Sequence, residues 1–178
     1  MRTLVLGGIR SGKSRWAENA IAGHAAVCYL ATGADAGADA EWAVRIARHR
    51  DRRPSGWSTV ETADVAGHLR SHADAATLVD DLGGWLTAAL DRCGWDSGSV
   101  AGDVDDLVTT IGAFQAPLVV VSPEVGLSVV AATASGRRFA DELGALNQRL
   151  AECCERVVLV VAGQPVQVKP QTTTEAGS

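Results

Sequence analysis

The chain has 178 residues and a formal net charge of −5 at pH 7, a length that suits one compact domain with its own core. This acidic balance argues against a general nucleic-acid binder, because affinity for a phosphate backbone requires clustered positive charge. With 47% hydrophobic and 21% charged residues, the composition is that of a globular protein and excludes wholesale disorder.

Short apolar runs alternate with helical periodicity along the chain. The β-branched, nearly uncharged runs predict buried strands at Thr3–Leu6, Val27–Ala31, Thr77–Val79, Leu118–Val121 and Arg156–Val161. The periodicity between them predicts helices at Ser14–Ala22, Ala38–Arg52, Ala63–Ala73, Trp85–Arg92, Val104–Phe114 and Arg137–Cys154. This order predicts a three-layer α/β fold, a mostly parallel sheet with helices on both faces.

Three segments depart from this alternation. Gly94–Gly102 is rich in Gly and Ser and is predicted to be a surface loop, and residues 170–178 are predicted to be a flexible polar tail. Gly163–Lys169 follows the preceding strand almost without a gap, which predicts a hairpin and an antiparallel strand at the edge of the sheet. Residues 1–169 are therefore expected to form a single domain.

The expected location is the cytoplasm. No apolar run approaches the roughly 18 to 20 residues of a bilayer-spanning helix, and a strand-like pattern begins at Thr3 without the apolar segment of a signal peptide. The cysteines show no CxxC spacing, so we expect small buried apolar side chains rather than disulfide partners or zinc ligands. These residues are Cys28, Cys93, Cys153 and Cys154.

The first motif with chemical content matches G-x-x-x-x-G-K-[ST] and lies between the first predicted strand and the first predicted helix. In such a loop the backbone N–H groups surround phosphates, Lys13 reaches the β and γ oxygens, and the Ser14 hydroxyl binds Mg²⁺. The alternative is a glycine-rich turn that only caps a helix. The predicted nucleotide loop consists of Gly7, Gly8, Ile9, Arg10, Ser11, Gly12, Lys13 and Ser14.

A loop of this kind needs an acidic residue for Mg²⁺ at the end of a neighbouring buried strand. Asp80 directly follows the apolar run at Thr77–Val79 and is the better candidate, with Asp81 as the alternative. The simpler interpretation is that both carboxylates begin a turn or cap the helix predicted at Trp85.

A third constellation surrounds His49. Glu41, Arg45 and His49 are spaced to share one face of a helix, and the range Arg45–Arg53 crowds arginines around this single histidine. A neutral imidazole at such a site can attack the α-phosphorus of a nucleoside triphosphate while the arginines offset the charge of the leaving pyrophosphate. By sequence alone, a solvated basic helix face with an ordinary histidine is about equally compatible with the pattern.

Taken together, residues 3–169 resemble the bifunctional adenosylcobinamide kinase/adenosylcobinamide-phosphate guanylyltransferase family of cobalamin biosynthesis. The resemblance depends on the order and spacing of several motifs, which are far more specific than the nucleotide loop alone. They are Gly7–Glu18, Tyr29–Thr32, Arg45–Pro54 followed by Trp57–Glu61, Leu78–Leu82, Val121–Gly126 and Arg138–Ala151.

The resemblance implies a two-step transferase that uses ATP or GTP with Mg²⁺. Adenosylcobinamide is first phosphorylated, and GMP from GTP then passes through a guanylyl-histidine to adenosylcobinamide phosphate, giving adenosylcobinamide-GDP. It implies that His49 is the guanylylated residue, and that the enzyme is a homo-oligomer, a trimer. Further nucleotide or Mg²⁺ contacts implied by position are Thr32, Gly33, Arg50, Asp51, Arg52, Arg53, Glu61 and Asp80.

The chain departs from the family pattern at four positions. The family usually carries Asn-Glu-Val-Gly-x-Gly and a following Pro, where this chain has Pro123 for Asn, Ser128 for the second Gly and Ala131 for Pro. Gly83 replaces the Thr of the usual Asp-x-x-Thr. These changes leave the nucleotide residues intact and fall where the corrinoid substrate is expected.

Two other functions stay open at this level. One is a small-molecule P-loop kinase without guanylyl transfer, in which His49 only positions phosphate. The other is a GTP-dependent switch that binds a partner, although the sequence contains no Asn-Lys-x-Asp guanine motif.

Overall fold

The computed structural model describes residues 1–32, 54, 56–127 and 129–170. Its strands are β1 Arg2–Gly7, β2 Val27–Ala31, β3 Trp57–Glu61, β4 Thr77–Asp80, β5 Leu118–Pro123, β6 Arg156–Val161 and β7 Gln164–Lys169. Its helices, numbered within this described part, are α1 Lys13–Ile21, α2 Val65–Ser71, α3 Leu82–Cys93, α4 Ala101–Ala113 and α5 Ala134–Cys153.

The described strands form one sheet in the order β3-β2-β4-β5-β1-β6-β7. Neighbouring strands are parallel, except that β6 and β7 are antiparallel. Because β5 lies between β1 and β4, the end of β1 at Gly7 pairs with Pro123, while Asp80 at the end of β4 pairs with Val121. The carboxyl ends of these three strands thus meet at one edge of the sheet.

Helices cover both faces of the sheet. Beneath α1, an apolar cluster joins Ala17 and Ile21 to Val5, Leu78 and Val121 of the strands. The opposite face has a larger cluster, in which α2–α5 pack on strand residues such as Leu4, Leu30 and Val120. Alternate strand residues point to the two layers, which is the pattern of a parallel sheet buried on both sides.

Side chains close the helix ends. Asp64 accepts a hydrogen bond from the Gly67 N–H at 2.9 Å, and Thr133 accepts one from the Gly136 N–H at 3.1 Å, so each caps the N-terminus of its helix. At the other end of α5, the Lys169 ammonium donates to the carbonyl oxygens of Ala151 and Glu152 at 2.8 and 3.1 Å. The second lysine of the chain therefore ties β7 to the C-terminus of α5.

The predicted α/β fold, the parallel order and the antiparallel C-terminal strand are confirmed. Several predicted helix boundaries differ from the structure. Helices α3 and α5 begin at Leu82 and Ala134, each three residues before its predicted start. Helix α4 begins at Ala101, so Gly102 lies in a helix rather than in the predicted loop, and Asp103 in the first turn interacts favourably with the helix dipole. The predicted helix at Ala38–Arg52 and residues 171–178 of the tail lie outside the described residues.

Strand β3 was not predicted. It is a short strand at the edge of the described sheet, and its residues are half-buried or exposed. Trp57–Glu61 therefore lacks the continuous apolar run that identified the inner strands. Within the described part of the chain, no helix is long and apolar enough to cross a membrane. The four cysteines are free thiols, but only Cys154 is buried as predicted, whereas the other three are half-buried.

Candidate active site

The nucleotide loop joins the end of β1 to the start of α1. Gly12 is the N-cap of α1 with a φ of 93°, a left-handed conformation that favours glycine. At Gly7 a Cβ atom would lie 2.4 Å from Ser11 Oγ and 2.8 Å from the Val160 carbonyl oxygen, so only glycine fits there. The side chain of Lys13, the first residue of α1, folds back over the preceding loop, where its ammonium lies 3.4 Å from the Gly8 carbonyl oxygen.

The β6–β7 turn supports this loop from outside. The Gly163 N–H donates a hydrogen bond of 2.7 Å to the Ser11 carbonyl oxygen. A Cβ atom on Gly12 would lie 3.2 Å from Gly163 Cα, so the two backbones approach closely. The β6–β7 hairpin at the sheet edge thus packs against and stabilises the loop that is predicted to bind phosphate.

Asp80 meets the nucleotide loop across the sheet. Its Oδ1 accepts a hydrogen bond of 3.2 Å from the Ser14 hydroxyl, and its Oδ2 accepts one of 2.5 Å from the Tyr29 hydroxyl. The structure therefore brings together the two residues predicted to bind Mg²⁺, from α1 and β4, together with a buried tyrosine from β2. The sequence places Tyr29 in the Tyr29–Thr32 motif without indicating a role for it. The available signal is an aromatic residue with a hydroxyl in a predicted buried strand.

Asp81 has a different environment from Asp80. Its carboxylate caps α3 by accepting a hydrogen bond of 2.6 Å from the Gly83 N–H, as the simpler interpretation of this residue predicted. Burial, together with the charge of Asp80, raises the pKa of the Asp81 carboxyl. The Thr32 hydroxyl, which is buried, accepts a hydrogen bond of 3.0 Å from the Asp81 N–H. Thr32 therefore contacts the backbone beside Asp80.

Glu61 is exposed at the end of β3 and pairs with Ala31, so it lies on the same carboxyl edge as Thr32 and Asp80. Several predicted site residues lie outside the described residues. These are Gly33, His49, Arg50, Asp51, Arg52 and Arg53, and also Ser128 among the departures from the family pattern. Their roles stay predictions.

The oxygen atoms of Ser14 and Asp80 fit Mg²⁺. A hydroxyl and a carboxylate oxygen 3.2 Å apart are hard ligands, and Mg²⁺ in nucleotide sites is commonly held by one or two protein groups plus phosphate and water oxygens. Within the described ranges there is no cluster of three or more His, Cys, Asp and Glu side chains that could hold a metal by themselves. The pair suits a metal that arrives with the nucleotide.

Two departures from the family pattern are neighbours in space. A Cβ atom built on Gly83 would lie 2.9 Å from Pro123 Cγ and 3.0 Å from Asp81 Oδ1. The Pro123 carbonyl oxygen is fixed by the Asn147 side-chain amide at 3.0 Å, and Asn147 in turn accepts a hydrogen bond of 2.6 Å from Ser122. The proline ring therefore occupies space that a larger residue at position 83 would need.

This contact predicts that Gly83→Thr lowers the free energy of unfolding by about 1–3 kcal/mol, the usual cost of overpacking. In a Pro123→Asn background the cost should shrink, because the ring that blocks the new side chain is gone. Urea unfolding of the two single variants and the double variant gives the coupling energy. Gly102→Thr is a matched control, because Gly102 is also the second residue of its helix but has open space at its Cβ. If the loss of unfolding free energy in the double variant equals the sum of the losses in the two single variants, the two positions do not interact and the prediction is wrong.

Comparisons with known proteins agree over nearly the whole chain. A family model described as cobinamide kinase / cobinamide phosphate guanyltransferase matches residues 3–168. The bifunctional adenosylcobalamin biosynthesis protein CobP of Pseudomonas aeruginosa is 46% identical over 173 residues, covering 95% of this chain and 98% of CobP. The corresponding CobU protein of Salmonella typhimurium is 36% identical over 189 residues, covering 95% of this chain and all 100% of that protein.

The CobU protein of Escherichia coli is 34% identical over 183 residues, covering 95% of this chain and 100% of that protein. Among solved structures, the P4 protein of bacteriophage phi6 in complex with ADP is 16% identical, with a TM-score of 0.47. That match covers 92% of this chain and 52% of the P4 chain.

Proposed function

The chain belongs to the cobinamide kinase / cobinamide phosphate guanyltransferase family, and from this membership we propose the reaction sequence and the residues that carry it. The enzyme phosphorylates adenosylcobinamide and then converts the phosphate to adenosylcobinamide-GDP. The observation that carries the kinase assignment is the hydrogen bond of 3.2 Å between Asp80 and Ser14, the residue that follows Lys13 in the chain. This bond joins two motif residues that are far apart in the sequence, Ser14 at the start of α1 and Asp80 at the end of β4, and it supports a shared role at the phosphates.

In the kinase step, the hydroxyl oxygen of the aminopropanol arm forms a bond to the γ-phosphorus of ATP or GTP. The bond from that phosphorus to the β–γ bridging oxygen breaks, the nucleoside diphosphate leaves, and the hydroxyl proton is released. Lys13 stabilises the charge that develops on the phosphoryl oxygens, while the loop N–H groups from Gly7 to Ser14 orient the phosphates. Ser14 and Asp80 hold the Mg²⁺ that neutralises phosphate charge when nucleotide is bound.

In the guanylyl step, an imidazole nitrogen of His49 forms a bond to the α-phosphorus of GTP, and pyrophosphate leaves. A phosphate oxygen of adenosylcobinamide phosphate then attacks the same phosphorus, and the bond to His49 breaks. The arginines of Arg45–Arg53 offset the charge on the leaving pyrophosphate. This assignment is supported by the sequence pattern around His49 and by the guanyltransferase named in the family description.

The remaining site residues are assigned to nucleotide binding. They are Thr32, Gly33, Arg50, Asp51, Arg52, Arg53 and Glu61. The position of Glu61 on the carboxyl edge beside Thr32 supports its assignment. We further infer that the enzyme is cytoplasmic and that it is a homotrimer. Sedimentation at several protein concentrations can test the trimer.

The two-step reaction is tested by incubating the protein with α-labelled GTP, with and without adenosylcobinamide. We expect an acid-labile labelled protein in the absence of acceptor, because a phosphorus–nitrogen bond hydrolyses in acid, and labelled adenosylcobinamide-GDP in its presence. A phosphorylated acceptor without any labelled protein would identify a plain small-molecule kinase. GTP hydrolysis that does not depend on the acceptor would instead indicate a nucleotide switch.

A further inference from the structure

The side chain of Tyr29 is buried, with 2% exposed, yet its hydroxyl contacts a charged group at the candidate active site. Tyr29 is the single tyrosine of the sequence. Its ring belongs to the apolar cluster beneath α1, with Ile21 and Leu78, and its hydroxyl lies 2.5 Å from Asp80 Oδ2. A buried tyrosine hydroxyl usually finds a partner, and here the partner is the carboxylate predicted to bind Mg²⁺.

The register of the sheet makes this contact possible. Tyr29 on β2 pairs with Leu78 on β4, and Asp80 lies two residues further along the same strand. Residues two positions apart on a strand point to the same face, and a diagonal neighbour is within reach of an aromatic side chain. The tyrosine therefore reaches Oδ2 of the carboxylate from the apolar cluster between the sheet and α1. Ser14, at the start of α1, donates to the other oxygen, Oδ1.

The backbone around Asp80 is anchored independently of this hydroxyl. The Thr32 N–H donates to the Asp80 carbonyl oxygen at 3.1 Å, and the Asp81 N–H donates to the Thr32 hydroxyl at 3.0 Å. These bonds fix the main chain but do not involve the Asp80 carboxylate, whose side-chain torsions are restricted by its hydrogen bonds with Ser14 and Tyr29. Of these two hydroxyls, that of Tyr29 belongs to a buried side chain held in the apolar cluster, and it binds the oxygen that does not face Ser14.

We propose that Tyr29 is a positioning residue that holds the Asp80 carboxylate with one oxygen toward Ser14, so that both are preorganised for the Mg²⁺ of the nucleotide. Groups that orient a metal-binding side chain commonly affect metal affinity about 10-fold or more. This inference rests on the proposed nucleotide site, and it concerns metal binding rather than the identity of the acceptor.

The test measures binding of a non-hydrolysable GTP analogue to wild type and Tyr29→Phe, first in EDTA and then during titration with Mg²⁺. Tyr29→Phe removes one oxygen atom and keeps the ring that fills the core. We expect unchanged affinity in EDTA and an Mg²⁺ midpoint about 10-fold higher than in wild type. Equal Mg²⁺ midpoints would overturn the proposal.

Thr77→Val is the matched control. Thr77 lies at the opposite end of the same strand as Asp80, is fully buried, and uses its hydroxyl to donate to the Ala75 carbonyl oxygen at 2.9 Å. This variant also loses a buried hydroxyl, so it should lower stability without shifting the Mg²⁺ midpoint. A shift as large as that of Tyr29→Phe would show a general loss of stability and would refute a specific role.

Wild type offers a readout that needs no variant. Protein labelled with ¹³C at the tyrosine ring carbon that bears the oxygen gives one resonance, because the sequence contains one tyrosine. That resonance should move when Mg²⁺ is added to the nucleotide complex, and a fixed position would overturn the inference. Failure of the proposed function has a different result: wild type forms no product from adenosylcobinamide, whatever the Mg²⁺ midpoints are.

Discussion

Lys13→Ala is expected to lower the rate of phosphoryl transfer by about 10³-fold, the upper range for removing one electrostatic contact to developing charge. Lys13 is the first residue of α1, and its ammonium lies over the loop 3.4 Å from the Gly8 carbonyl oxygen. Alanine keeps the helix but leaves the phosphoryl oxygens without this cation. Single-turnover transfer of γ-labelled phosphate to adenosylcobinamide measures the effect. A rate within a few-fold of wild type would contradict the assignment of Lys13 to the phosphate site.

Lys169→Ala is the natural control, because it removes the other lysine of the chain. Lys169 donates to two carbonyl oxygens at the end of α5, so its loss should lower stability by about 1 kcal/mol. It should leave phosphoryl transfer unchanged. The pair of variants separates the chemical role of a lysine from the general loss of positive charge in an acidic protein.

His49→Ala is expected to abolish formation of labelled protein from α-labelled GTP and to reduce adenosylcobinamide-GDP synthesis by at least about 10³-fold. The reason is that the variant has no nucleophile for the α-phosphorus, and an attacking group that forms a covalent intermediate is not replaced by neighbouring arginines. The kinase step should persist, since its predicted residues are those of the nucleotide loop and Asp80. Adenosylcobinamide phosphate should therefore accumulate in the variant.

His24→Ala controls for the general loss of an imidazole. His24 is exposed just after α1 and has no assigned role, so this variant should form labelled protein and adenosylcobinamide-GDP at the wild-type rate. If His49→Ala still forms labelled protein, a residue other than His49 carries the guanylyl group. Loss of the kinase step in His49→Ala would instead indicate that the two reactions share this side chain.

The place of the predicted nucleotide loop between β1 and α1 could be predicted because its information is local. Gly7, Gly12 and Lys13 fall at fixed spacing between a strand and a helix, and each requirement, such as the positive φ of Gly12, concerns neighbouring residues. The inner strands could also be predicted from the sequence, since their apolar runs are continuous. Strand β3 was not, because an edge strand is buried on too little of its surface to show that pattern.

The partners of Asp80 could not be predicted from local pattern. Ser14 is 66 positions away and Tyr29 is 51 positions away, and only the strand order brings them together. The same holds for Gly83 and Pro123, which the sequence presents as two separate departures from a family pattern and the fold presents as one contact. Packing across a sheet depends on which strands become neighbours.

The sequence by itself determined the fold class, the nucleotide loop and the family, because periodicity and motif spacing are properties of consecutive residues. Only the tertiary structure decided that β5 lies between β1 and β4, and that a buried tyrosine on β2 faces the Asp80 carboxylate. The physical reason is that hydrogen bonding and burial between distant segments follow from strand order and register, which local propensity does not specify.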